Sequence, residues 1–163
     1  EQGLIAKGGG HAMAAGLTLK TEGLAALRQF FVVTLAASVE AARDDALFVD
    51  GALTATAATL ELIELLEQAR PYGSAHPSPM FVFPAHRVLY ADAAGADHIR
   101  CTIAASDGTR IKAIAFRAMG TEMGELLLSE RSFPLHIAGR LVADEWGAKR
   151  VPSLQIEDVS RIS

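Results

Sequence analysis

The stretch His98-Ile99-Arg100-Cys101-Thr102-Ile103-Ala104-Ala105-Ser106-Asp107-Gly108-Thr109-Arg110-Ile111-Lys112-Ala113-Ile114-Ala115-Phe116 decides the fold of this chain. From His98 to Ala105 apolar and polar residues alternate. Ile99, Cys101 and Ile103 fall on one face and His98, Arg100 and Thr102 on the other, the period of a half-buried strand. Ser106-Asp107-Gly108 is a tight-turn signal. Arg110 to Phe116 alternates again, so the two runs read as a β-hairpin.

Outward from this hairpin the texture stays β. Phe81 to Tyr90 reads as a strand interrupted near Pro84. Met119 to Ser129 is helical in character, and Pro134 to Val142 and Val151 to Ile162 read as two more strands. Three strands, a helix and two strands give a mostly β, five-stranded Greek-key barrel of the OB type, with one helix between strands 3 and 4. Barrels of this kind often serve single-stranded nucleic acid.

Ahead of the barrel, Arg70-Pro71-Tyr72-Gly73-Ser74-Ala75-His76-Pro77-Ser78-Pro79 fits neither period and reads as a loop and a domain boundary. A helix from about Thr56 to Ala69 precedes it, stopped by Pro71, with Glu61, Glu64 and Glu67 on its solvated face. Ala46 to Asp50 is a short strand candidate broken by Gly51. Further upstream, Thr21 is placed to cap a helix running to about Arg43 and ended by Asp44-Asp45. Its residues Leu24, Leu27, Phe31, Leu35 and Val39 form a stripe facing a core. Leu17 to Lys20 reads as a short strand. These features divide the chain into 1–45, a connecting strand and helix at 46–70, and the barrel at 71–163.

The sequence has 163 residues, half of them hydrophobic, which suits one or two globular domains. No apolar run approaches the roughly 18 residues that span a bilayer, so no membrane role is expected. The lone Cys101 forms no internal disulfide, which points to a reducing cytoplasm. The net charge of −4 is unevenly spread. Residues 1–69 carry four basic against nine acidic side chains, and residues 70–163 carry eleven against ten. Neither part is a basic nucleic-acid module by charge alone.

Gly8-Gly9-Gly10-His11-Ala12-Met13-Ala14-Ala15-Gly16 is the densest glycine motif. Such a run brings backbone amides close to a ligand, and at the start of a helix it favours phosphate. An ordinary glycine-rich turn is the other reading. His11 can donate to a phosphate oxygen or bond a nearby carbonyl at a helix start. The other histidines, His76, His86, His98 and His136, show no metal-ligand spacing. In the barrel, Arg87, Arg100, Arg110, Lys112, Lys149 and Arg150 are candidate DNA-binding residues, Arg100 with Lys112 and Arg110 lining one face of the hairpin. Trp146 can stack a base or pack at a barrel edge. The chain shows no complete catalytic constellation.

Four segments, taken in order, resemble the bacterial RecJ exonuclease family of the DHH phosphoesterases. Lys7 to Thr18 is similar to the GGGHxxAAG signature of the α/β domain that accompanies the DHH core. Pro71 to Phe81 resembles the PFGxGNPxPxF linker, with Tyr72 for phenylalanine and Ala75-His76 for glycine-asparagine. Ala113-Ile114-Ala115-Phe116 and the closing Leu154-Gln155-Ile156-Glu157-Asp158-Val159 complete the match.

The resemblance implies a 5′→3′ exonuclease acting on single-stranded DNA in recombination and repair, with Mn2+ or Mg2+ activating water. It implies that Gly8, Gly9, Gly10 and His11 hold a DNA phosphate and that the barrel guides the strand. The metal ligands of the family are not in this chain. Glu1 is not a methionine, and the glycine run begins seven residues later. The expectation is therefore the C-terminal piece of a longer enzyme, cut within its α/β domain and inactive alone. One alternative is a non-catalytic module docking a helicase or single-strand-binding protein. Another is a DHH phosphoesterase acting on oligoribonucleotides or cyclic dinucleotides.

Overall fold

A computed structural model describes residues 5–11, 14–41, 46–129, 133–146 and 149–162. It divides into two compact units, Glu1–Leu47 and Phe48–Ser163.

In the first unit, β1 (Lys7–His11) and β2 (Ala14–Thr18) pair antiparallel, with Gly9 opposite Gly16. The glycine run is thus a strand and does not open a helix, and the expected strand at Leu17–Lys20 lies earlier. Glycine is among the poorest helix formers, so pairing is the less costly way to satisfy these amides. A Cβ at Gly10 would come within 2.8 Å of the Ala14 carbonyl and the Ala15 Cα, so only glycine allows this approach. A 3-10 turn at Thr21–Gly23 leads into α1 (Leu24–Ala41), and no side chain caps that turn, Thr21 included. Arg43 and the expected stop at Asp44-Asp45 lie outside the described residues. Of the predicted core stripe, Leu27 is buried, whereas Leu24, Phe31, Leu35 and Val39 are 40–58% exposed. Phe30, Val32 and Val33 add apolar groups on other faces, so α1 is apolar around its circumference rather than amphipathic.

The second unit is a closed barrel. Its strands are β4 (Phe81–Ala94), β5 (His98–Ala104), β6 (Arg110–Ala115), β7 (Leu135–Trp146) and β8 (Lys149–Arg161). They pair in the order β4-β5-β6-β8-β7, and β7 returns to β4. The β6–β8 pair is parallel and the others are antiparallel. A short helix, α3 (Glu122–Ser129), lies between β6 and β7. The hairpin alternation holds, since Ile99, Cys101 and Ile103 of β5 and Ile111, Ala113 and Ala115 of β6 fill the core with Phe83, Ile137 and Leu154.

Two further elements precede these strands. The strand expected at Ala46–Asp50 is displaced to β3 (Gly51–Ala52), which pairs parallel with Phe81-Val82. Helix α2 (Leu60–Gln68) starts later than Thr56, because Thr59 Oγ1 accepts the Leu62 N–H at 3.2 Å and caps it. Ala55, Ala58 and Ile63 share the barrel's core cluster, so residues expected to connect two domains pack within the second.

The interruption at Pro84 is a bulge. β4 pairs with β7 across it, from Phe81 opposite Gly139 to His86 opposite Leu135, and then with β5, from Arg87 opposite Ala104. Ala85 takes a positive φ of 54° there, and proline, lacking an N–H, sits where the ladder breaks. Gly108, at φ 86°, turns the β5–β6 hairpin and donates its N–H to the Ala105 carbonyl. At the β7–β8 bulge, a Cβ on Gly139 would meet the Gln155 carbonyl oxygen at 2.2 Å.

Candidate nucleic-acid interface

Side chains that alternate with the core residues of β4, β5 and β6 are arranged in rows by the registers, and most are exposed or half-buried, while Ala104 and Ser153 within the rows are buried. One row runs Arg87, Ala104, Arg110. The next runs Tyr90, Thr102, Lys112, Ser153, and a third Asp92, Arg100, Ile114, Gln155. A cleft of ≈ 390 Å³ lies over the second and third rows, lined by Tyr90, Arg100, Thr102, Lys112 and Ile114, with Asp144 from β7. The expected grouping of Arg100, Arg110 and Lys112 on one hairpin face is present, and Arg87 joins it across Ala104.

Acidic groups on the same face temper its charge. Asp92 Oδ2 accepts the Tyr90 hydroxyl at 3.1 Å and Arg100 Nη2 at 3.2 Å, while Oδ1 accepts the Ala93 N–H at 2.8 Å. The Tyr90 hydroxyl and then Arg100 hold the Asp92 carboxyl below the usual carboxylate range. Asp92 in turn raises the Arg100 guanidinium. On the adjoining β7–β8 pair, Arg140 bonds Glu157.

The remaining barrel candidates fall elsewhere. Arg150 lies 3.7 Å from Glu67 and 4.0 Å from Glu64, so its charge is met by α2 rather than by the cleft. Lys149 is exposed and stands opposite Trp146 at the end of the β7–β8 hairpin. The Trp146 side chain lies outside what the structure describes. Tyr90 and Asp92 escape a reading by alternation, because a register shift between Val88 and Tyr90 breaks the period of β4.

Gly8, Gly9, Gly10 and His11 form the exposed strand β1. Among the described residues β1 pairs with β2 alone, so alternate amides on its other edge face outward. Any anion binding here uses strand-edge amides, since the run is not at a helix N-terminus. Ala12 and Met13 of the motif lie outside the described residues.

Three barrel-unit histidines are structural. His86, 1% exposed, accepts the Ala55 N–H on Nε2 at 3.0 Å and donates from Nδ1 to the Pro84 carbonyl at 2.9 Å. His98 Nδ1 accepts the Arg117 N–H at 3.0 Å. His76 Nε2 bonds the Ala69 carbonyl at 3.1 Å and the Tyr72 hydroxyl donates to that of Leu66, so the linker adds hydrogen bonds to carbonyls at the end of α2. Gly73 and His76 close this linker through mutual backbone bonds despite the Ala75-His76 departure from the family pattern.

Among the described residues no three His, Cys, Asp or Glu side chains converge as a metal site. They do not fit a divalent ion. No described helix is long and apolar enough to cross a membrane.

A five-stranded barrel with its first strand shared by two neighbours and a parallel pair between its third and fifth defines an OB domain. The chain belongs to the RecJ OB domain family, whose profile matches residues 49–158. It is 32% identical over 158 residues to the single-stranded-DNA-specific exonuclease RecJ of Dickeya dadantii, covering 95% of this chain and 26% of that protein. Against the Salmonella typhimurium protein of the same name, identity is 28% over 96% of this chain and 26% of the relative. The chain therefore spans about a quarter of the length of these curated relatives. Crystal structures of Thermus thermophilus RecJ share the fold. The Mg2+ complex has a TM-score of 0.58 at 19% identity, covering 98% of this chain and 24% of that one. The Mn2+ complex gives 0.56 at 20%, covering 98% and 22%.

Proposed function

We propose that this chain is the substrate-holding part of a metal-dependent 5′→3′ single-stranded-DNA exonuclease of repair and recombination. One observation carries the reading: an OB barrel of the RecJ family gathers Arg87, Arg110 and Lys112 on one outer face, beside the Tyr90 cleft. That face guides the strand, and the segment Gly8-Gly9-Gly10, through those of its amides that face outward, holds a phosphate with His11. The relatives are named as single-stranded-DNA-specific exonucleases, and the solved neighbours hold Mg2+ or Mn2+. In this reading the metal ligands belong to the larger enzyme, and the chain alone does not hydrolyse DNA with Mn2+.

Binding to a single-stranded oligonucleotide tests this. Affinity that falls steeply with salt supports it, because released counterions drive phosphate contacts. No binding at low salt overturns it. In the full-length enzyme, His11→Ala is expected to cut turnover strongly with metal binding intact, and wild-type turnover removes His11 from the site.

The second reading, a module docking a helicase or single-strand-binding protein, draws on the acidic partners. Asp92 meets Arg100, Glu157 meets Arg140, and Glu64 and Glu67 meet Arg150. The family match weighs against a DHH phosphoesterase of oligoribonucleotides or cyclic dinucleotides.

A further inference from the structure

Resting on the single-strand reading, the row across the cleft identifies a nucleotide contact within it. Tyr90 is 47% exposed and stands in register with Thr102, which in turn stands opposite Lys112. Its hydroxyl is tethered to Asp92, so the ring is held at the cleft before any ligand arrives. Two strand spacings, about 10 Å, separate the Tyr90 and Lys112 backbones, a gap that lets the one side chain meet a base and the other a phosphate of one strand. The oxygen that tethers Tyr90 also takes Arg100, so a phosphate must compete with Asp92 for that guanidinium.

We propose that this row is a single-nucleotide subsite: Tyr90 stacks a base, Lys112 meets the phosphate, and Asp92 withholds Arg100 from it. Stacking on an aromatic face tolerates any base, which suits a strand read without sequence preference. Withholding one cation keeps the grip shallow, which suits a strand that must slide.

The test is fluorescence anisotropy of a labelled oligodeoxythymidylate titrated with this 163-residue chain. Tyr90→Ala is expected to weaken binding about ten-fold or more, while Tyr90→Phe, which keeps the ring, stays within about two-fold. Asp92→Asn is expected to tighten binding and steepen the log–log salt slope by about 0.7, one further phosphate on a single strand. Unchanged affinity in Tyr90→Ala, or equal losses in Tyr90→Ala and Tyr90→Phe, overturns the stacking role. A slope unmoved in Asp92→Asn overturns the withheld arginine. Both results leave the broader DNA reading standing if the wild-type chain binds, whereas no wild-type binding at low salt removes both.

Discussion

His86 Nε2 accepts the backbone N–H of Ala55 at 3.0 Å, joining β4 to the segment between β3 and α2. Its other nitrogen is used by the Pro84 carbonyl, so the buried ring has no spare polar atom. Replacing it with phenylalanine keeps an aromatic ring, somewhat larger than imidazole, and strands a buried amide, which costs about 1–3 kcal/mol. His86→Phe should lower the urea midpoint accordingly with the m-value unchanged. A wild-type midpoint would show that water or a backbone shift satisfies Ala55.

A second long-range tie joins the same segment to the β5–β6 turn. Thr56 Oγ1 donates to Asp107 Oδ2 at 2.5 Å, and the Thr109 N–H donates to Oδ1 at 2.8 Å. The Thr56 hydroxyl first, then Thr109, holds the Asp107 carboxyl below its ordinary value of 3.8. A carboxyl depressed in the folded state adds stability that is complete above its unfolded pKa and is lost as pH falls through the folded one. Thermal unfolding followed from about pH 5 to about pH 2 should therefore decline less steeply in Asp107→Asn than in wild type. Identical pH profiles would refute the tie. Asp92 titrates in the same sense, so a residual decline is expected in the variant.

Burial pushes the Cys101 thiol up from 9.0 to about 12. At pH 8 its thiolate fraction in the folded state is then lower by roughly a thousand-fold than in the unfolded chain, and access is blocked as well. A disulfide reagent should label Cys101 only as the barrel opens, at a rate that rises with urea. Rapid labelling in native buffer would contradict the core placement of β5.

The basic residues of the barrel should separate in a salt titration. Arg110→Ala removes a cation from the outer face and is expected to flatten the log–log salt slope for single-stranded DNA by about 0.7. Arg150→Ala removes one already facing Glu64 and Glu67, and should leave that slope unchanged while altering stability by less than about 1 kcal/mol. Equal slope changes would place Arg150 on the DNA path.

Where side chains declare a period, the fold was readable. Ile99, Cys101 and Ile103 against Arg100 and Thr102 predict β5 and the direction of its faces, and the Pro84 interruption is visible as a defect in β4. Glycines declare nothing, so Gly8, Gly9 and Gly10 look as ready to start a helix as to form a strand, and only pairing with β2 decides. Two-residue β3 is too short to carry any pattern. The outward grouping of Arg100, Arg110 and Lys112 was legible from alternation. The pairing of Arg150 with α2 was not, because it joins positions more than eighty residues apart in sequence. Tyr90 and Asp92 were hidden by the local shift in β4 that places them on the cleft.

The kink at Pro84-Ala85 lets one strand close the hoop, its first half held by β7 and its second by β5. Neither seam can part without disturbing the strand that makes the other. The distance between Tyr90 and Lys112 is thus set by a ring of paired strands, not by a sheet free to flex. On the proposed reading, it is the nucleic acid's pliable sugar–phosphate chain that would adapt to this template, which does not give way.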